Sequence, residues 1–239
     1  LRAVESAIAV LRDVAASTPT ARLHLTHLST TAALAAVRSA QGEGLPLTCD
    51  VTPHHIALTD TWIAGDRRWA WEVASGDERL APTADSFDSN LRVCPPLRAA
   101  GDAAACREAL RSGTALAIGT DHAPHSREKK EVEFGLAANG IAGIETSLSV
   151  AFAAHRAGEL PLATIVAALT TGPARLLGVT ATGVIPGAVA SLVQIDLAAS
   201  WRPSRETLQG RSINTPLLGR EIPGVVQLTV LEGRPAYQR

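Results

Sequence analysis

Methionine is absent from this chain, even at its first position. A complete protein of 239 residues ordinarily contains several, so the expectation is the later part of something longer. Cysteine is scarce: Cys49, Cys94 and Cys106 form no CxxC pair and leave an odd thiol. That argues against a disulfide framework and suits a reducing cytoplasm, the expected location. A dominant charge is also missing. The formal net charge is -1, and basic residues cluster nowhere beyond Arg127, Lys129 and Lys130, so neither nucleic acid nor membrane is expected as a partner. No apolar run is long enough to span a bilayer, and the opening "LRAVESAIAVLRDVAAS" is too charged for a targeting peptide.

What is present is alternation, in a chain whose 46% hydrophobic content is enough for a core. Val4, Ile8, Leu11 and Val14 recur at helical spacing and predict an amphipathic helix over residues 2–16. "RLHLTHL" reads as a strand, "TTAALAAVRSAQ" as a helix closed by Gly42 and Gly44, and "LPLTCDV" as a second strand. Residues 56–92 carry three of the four tryptophans and many charges, and read as a long functional insertion. Beyond it, "PLRAAGDAAACREALRSG" is helical, "ALAIGTD" a strand, and "GIETSLSVAFAAHRAG" and "LATIVAALTTGPARLLG" two more helices. From Thr182 short strands with Gly and Pro turns take over, which divides the chain into residues 1–178 and 179–239. Alternating strands and helices predict an α/β fold with a parallel sheet or barrel, whose catalytic groups collect at the carboxyl ends of the strands.

Ionisable residues sit at those ends. In "RLHLTHL" the two-residue period puts His24 and His27 on opposite faces, so they cannot serve one ion, and His27, last before the loop, is the candidate inward ligand. In "ALAIGTD" the residues Ala115, Ala117, Gly119 and Asp121 share a nearly empty face that ends in a carboxylate and leaves space for something other than side chains. An aspartate after a strand commonly caps a helix, but the "HAPH" that follows begins no helical pattern. An imidazole and a carboxylate converging from two strand ends are ligands of the kind zinc accepts. His54 and His55 are adjacent, so at most one faces the cavity, and supporting or structural roles are expected for both.

In order and spacing, "HLTHLST", "VTPHHIALT", "PPLR", "GTDHAPHSREKK" and "FGLAANGIAGIET" resemble the class I dihydroorotases of the amidohydrolase superfamily, and "GVIPGAVASLVQID" is similar to that superfamily's C-terminal return strand. The resemblance implies the C-terminal part of a (β/α)8 barrel, its sixth to eighth strands, plus return strands to a small β-sandwich domain. It implies reversible ring closure of N-carbamoyl-L-aspartate to L-dihydroorotate, with His27 as the zinc ligand on the sixth strand and Asp121 on the eighth as both metal ligand and proton shuttle. Two zinc ions are implied for the complete enzyme, with His125, Asn139, Gly140 and Cys94 at the substrate. Cys94 stands where many members have an asparagine, and Ser191 replaces an Asp common in the return strand. The family's His-x-His pair, its Asp or carboxylated Lys, and its fifth-strand histidine have no counterpart here, so a missing N-terminal half or a complementary chain is the implied partner. A homo-oligomer or a complex with aspartate transcarbamoylase is also implied. A hydantoinase or allantoinase, and a non-catalytic subunit that scaffolds aspartate transcarbamoylase, remain as alternatives.

Overall fold

The computed structural model describes residues 1–73, 85–181 and 183–239; part of the expected insertion, 74–84, and Thr182 at the expected boundary lie outside them. The chain opens with α1 (Arg2–Ser17), β1 (Leu23–Leu25), α2 (Thr31–Gly42) and β2 (Leu47–Val51). α1 buries Ile8 and Leu11 with Val4 packed beside them, but Val14, the last residue of the apolar stripe, is 43% exposed. α2 begins where the Thr30 hydroxyl accepts the N–H of Ala33, and it turns Leu34, Val37 and Ala40 into the core.

A short helix not anticipated from the sequence follows, α3 (Pro53–Ala57). Thr52 caps it by accepting the His55 N–H, and Pro53 fills the first helical position, where a missing N–H costs nothing. α4 (Ala100–Ser112) ends at Gly113 in the left-handed conformation and leads to β3 (Ala117–Ile118), shorter than the strand expected over "ALAIGTD". β1, β2 and β3 form a parallel sheet in that order, with Leu25 opposite Cys49 and Asp50 opposite Ala117. β1 and β3 are its edges.

α5 (Arg127–Lys130) leaves Arg127 and Lys129 in solvent but buries Lys130, so the small basic run is not one surface patch. α6 (Ser147–Arg156) is buried along most of its length. The next helical stretch is broken into α7 (Leu162–Leu169) and α8 (Thr171–Leu177) at Thr170; Pro173, which has no N–H, cannot continue the ladder back to Leu169.

The last strands are β4 (Leu192–Trp201), β5 (Ile222–Leu231) and β6 (Arg234–Gln238), an antiparallel sheet ordered β4-β5-β6. It is the only antiparallel sheet among the described residues, where the sequence suggested strands returning to a sandwich. Its attachment runs through the first half of β5, where Ile222 and Val225 are buried. There the Ser149 hydroxyl of α6 donates to Gly224 O at 3.2 Å and accepts the Trp201 indole N–H at 2.9 Å. The connection 202–221 returns over the α/β layer and buries Leu208, Asn214, Thr215 and Leu217. Residues 179–239 thus pack on the α/β layer through β5 and the 202–221 connection, while the residues around 178 and 179 are exposed. No helix among the described residues is long and apolar enough to cross a membrane.

Candidate active site

Two residues with side chains leave the parallel strands in the left-handed region, His27 (φ 57°) after β1 and Asp121 (φ 47°) after β3. Such conformations cost about 1–3 kcal/mol and persist only when their surroundings enforce them. For His27 the enforcing group is Asp50 of β2. One oxygen of its buried carboxylate accepts the His27 backbone N–H at 2.7 Å, and the other accepts the Thr26 hydroxyl at 2.8 Å and His24 Nε2 at 2.9 Å. His24 is thereby turned away from His27, as alternation along the strand requires. The same carboxylate corrects the expectation of an empty space beside β3: a Cβ on Gly119 would stand 2.9 Å from Asp50 Oδ1, so a protein side chain already fills the gap.

His27 Nδ1 lies 3.7 Å from one oxygen of Asp121, and His54 Nε2 lies 3.8 Å from the other. Both separations are too long for hydrogen bonds and close to the roughly 3.4 Å expected between two ligands of one tetrahedral zinc. His54 is 6% exposed and its Nε2 has no hydrogen-bond partner. Burial, reinforced by His55 and His27, pushes its proton affinity well below the usual histidine range and leaves a neutral imidazole with a free lone pair. Burial raises the pKa of Asp121; the neighbouring His27 opposes the shift and the Asp50 charge adds to it. An orphaned buried imidazole nitrogen aimed at a carboxylate is a donor set of the kind zinc takes. Among the described residues no group of three or more His, Cys, Asp or Glu side chains is placed to hold a metal ion, so the chain's own donors make a partial site.

Of the adjacent pair, His54 is the one that faces Asp121. Its signal was "TPHH": a Thr cap and a first-turn Pro start a helix, and helical geometry sends the two imidazoles in different directions. His55 turns to Thr52 Oγ1 at 2.8 Å and donates from Nε2 to Pro95 O at 3.1 Å, a structural link.

The loop after Asp121 meets the 137–142 segment. His125 Nε2 donates to Asn139 O at 2.8 Å, which puts the ring proton on Nε2 and leaves Nδ1 as an acceptor while the ring is neutral. Gly140 (φ 139°) lies so close to the loop that a Cβ there would be 2.4 Å from the Ala123 Cβ. His125, Asn139 and Gly140 are thus brought together. Cys94 is exposed, on a stretch pinned at both sides: Arg92 O accepts the Gly140 N–H at 2.8 Å, and Pro95 O holds His55. A cleft of about 550 Å³ lies elsewhere, between α6 and the antiparallel sheet, and Glu145, Trp201, Tyr237 and Arg239 are among its lining residues.

A parallel α/β layer with histidine and aspartate at its strand ends is the setting of a metal-assisted hydrolase, and residues 10–236 match the amidohydrolase family. The chain belongs to that family. More particularly, it is 43% identical to a dihydroorotase of Anaeromyxobacter dehalogenans over 97% of its own length and 49% of the relative's. With a dihydroorotase of Geobacter metallireducens the identity is 37% over 91% of this chain and 46% of that one. The chain spans about half the length of the curated relatives it matches. An L-hydantoinase (dihydropyrimidinase) of Arthrobacter aurescens superposes with a TM-score of 0.81 at 23% identity, covering 99% of this chain and 48% of that one, which shows a shared fold alone.

Proposed function

We propose that this chain is the C-terminal portion of a zinc-dependent dihydroorotase. In this reading residues 1–178 carry the last parallel strands of a (β/α)8 barrel, and residues 179–239 belong to a small sandwich domain. The observation that carries the reading is the approach of His27 and His54 to opposite oxygens of Asp121, beside the loops of His125 and Asn139. The names of the relatives select the substrate.

In ring closure of N-carbamoyl-L-aspartate the ureido nitrogen bonds to the carbon of the protonated side-chain carboxyl, and the hydroxyl oxygen of that group leaves as water. Asp121 takes the proton that the nitrogen gives up and returns it to the departing oxygen; in ring opening the proton runs from water to the ring nitrogen. Burial raises its pKa, the direction a proton-carrying carboxylate needs. His27 and Asp121 are the residues that would hold zinc, with the buried His54 Nε2 facing the same carboxylate, and the ion would supply a Lewis acid at the scissile carbonyl. His125, Cys94 and the backbone at Asn139 and Gly140 flank the ring and orient it.

The test is metal analysis with forward and reverse assays on residues 1–239 alone and mixed with the remaining part of the enzyme, with hydantoin and allantoin as competing substrates. The isolated chain should bind zinc weakly and turn over nothing, since a catalytic zinc ordinarily needs three protein ligands and completed surroundings. The mixture should bind zinc and interconvert N-carbamoyl-L-aspartate and L-dihydroorotate. Full activity in residues 1–239 alone, or preference for hydantoin, would overturn the reading.

A further inference from the structure

We propose that Asn214 is a positioning residue that fixes the two substrate-side loops against each other; what those loops bind rests on the dihydroorotase reading above. Asn214 is 5% exposed and comes from the connection between β4 and β5, far from either loop in sequence. Its side-chain oxygen accepts the His125 backbone N–H at 3.0 Å and the Ser212 hydroxyl. Its amide nitrogen donates to Ala123 O and to Gly140 O, each at 3.1 Å. A carboxamide has two donors and two acceptor sites, and all four are used here, two on the His125 loop, one on the Gly140 loop and one on Ser212. The Asn214 backbone adds a fifth link by accepting the Ala142 N–H at 2.9 Å.

The neighbours complete a frame. Ser212 Oγ also lies 2.7 Å from His125 O, so its single proton is shared between that carbonyl and Asn214 Oδ1, and the His125 peptide is flanked on both sides by one short segment. Lys130 holds the far side of the second loop by donating to Ala138 O and Gly140 O, and Arg92 donates to Ala137 O. Between the loops run Ala123 N–H to Ile141 O at 2.9 Å and the His125–Asn139 bond. Loop backbone of this kind ordinarily turns to water; here a buried amide takes its place, which makes the spacing of His125 and Asn139 a property of residue 214.

Asn214→Asp tests this with almost no change of shape. The carboxylate keeps the acceptor side but turns lone pairs toward the carbonyls of Ala123 and Gly140, where donors stood. In the complete enzyme we expect kcat/KM to fall about tenfold or more, chiefly through KM, with zinc content unchanged. Activity should partly recover as pH is lowered, because a protonated carboxyl again donates to one carbonyl. Hydrogen exchange at the Ala123 amide, which bonds across the loops, should accelerate. Ser212→Ala, which removes one acceptor-side bond from a half-buried residue, should raise KM less and serves as the deciding variant if Asn214→Asp does not fold. Unchanged KM in a folded variant together with unchanged exchange at Ala123 would overturn the proposal. If the wild-type enzyme shows no dihydroorotase turnover, the functional reading fails by itself, and exchange at Ala123 alone decides the positioning role: faster supports it and unchanged refutes it.

Discussion

Asp50 accepts the backbone N–H of His27 at 2.7 Å and so holds in place the turn that presents the His27 imidazole to Asp121. Its carboxylate occupies the space beside Gly119, so an added methyl there meets a buried charge that cannot move without breaking three hydrogen bonds. Gly119→Ala should therefore destabilise the chain by about 1–3 kcal/mol, the usual cost of overpacking, and should weaken zinc uptake as His27 shifts. Urea unfolding and metal titration of the variant check both; unchanged stability would mean that Asp50 moves freely.

Asp121→Asn is nearly isosteric and should leave the fold stable while lowering turnover in both directions by about 10²–10⁴-fold, the usual contribution of a general acid–base group. The measurement is steady-state rate in each direction together with the thermal midpoint. Retention of more than about a tenth of the wild-type rate would remove Asp121 from proton transfer.

His125→Ala should raise KM with zinc content intact, because the His125 ring bonds to the Asn139 carbonyl and is not among the side chains facing Asp121. Stoichiometric loss of zinc would instead make His125 a ligand. Cys94→Asn, assayed in parallel, should shift KM if the side chain at this exposed position touches substrate.

Acid should unfold the protein in a window set by His55. Burial lowers its pKa from 6.5 to about 4, against the opposing bonds to Pro95 and Pro96. The unfolded chain then takes up the proton first, so the stability contributed by neutral His55 is complete above pH 6.5 and is lost as pH falls toward 4. A shift of that size corresponds to about 3 kcal/mol. His54, lowered in the same direction by burial, steepens the loss. Urea unfolding of the metal-free chain across this range should show the decline, and His55→Asn should flatten it.

The local features of this protein were written in its residue order. The 3.6-residue stripe of α2 and the short strands ending near His27 and Asp121 depend on neighbours in the chain; so do the cap and proline that open α3, a helix too short to show a period and therefore not anticipated. Long-range geometry decided the rest. Val14 matches the stripe of α1 yet lies exposed, because burial depends on what packs against a helix and not on its period. Asp50 looks like any strand residue until the registers of β1, β2 and β3 set it beneath His27 and against Gly119. Asn214 reaches the His125 loop only because the connection before β5 folds back over the parallel sheet. A periodic pattern encodes which way a side chain leaves its own backbone; which distant group it then meets is set by the packing of whole elements, and that is where the site acquired His54, Asp50 and Asn214.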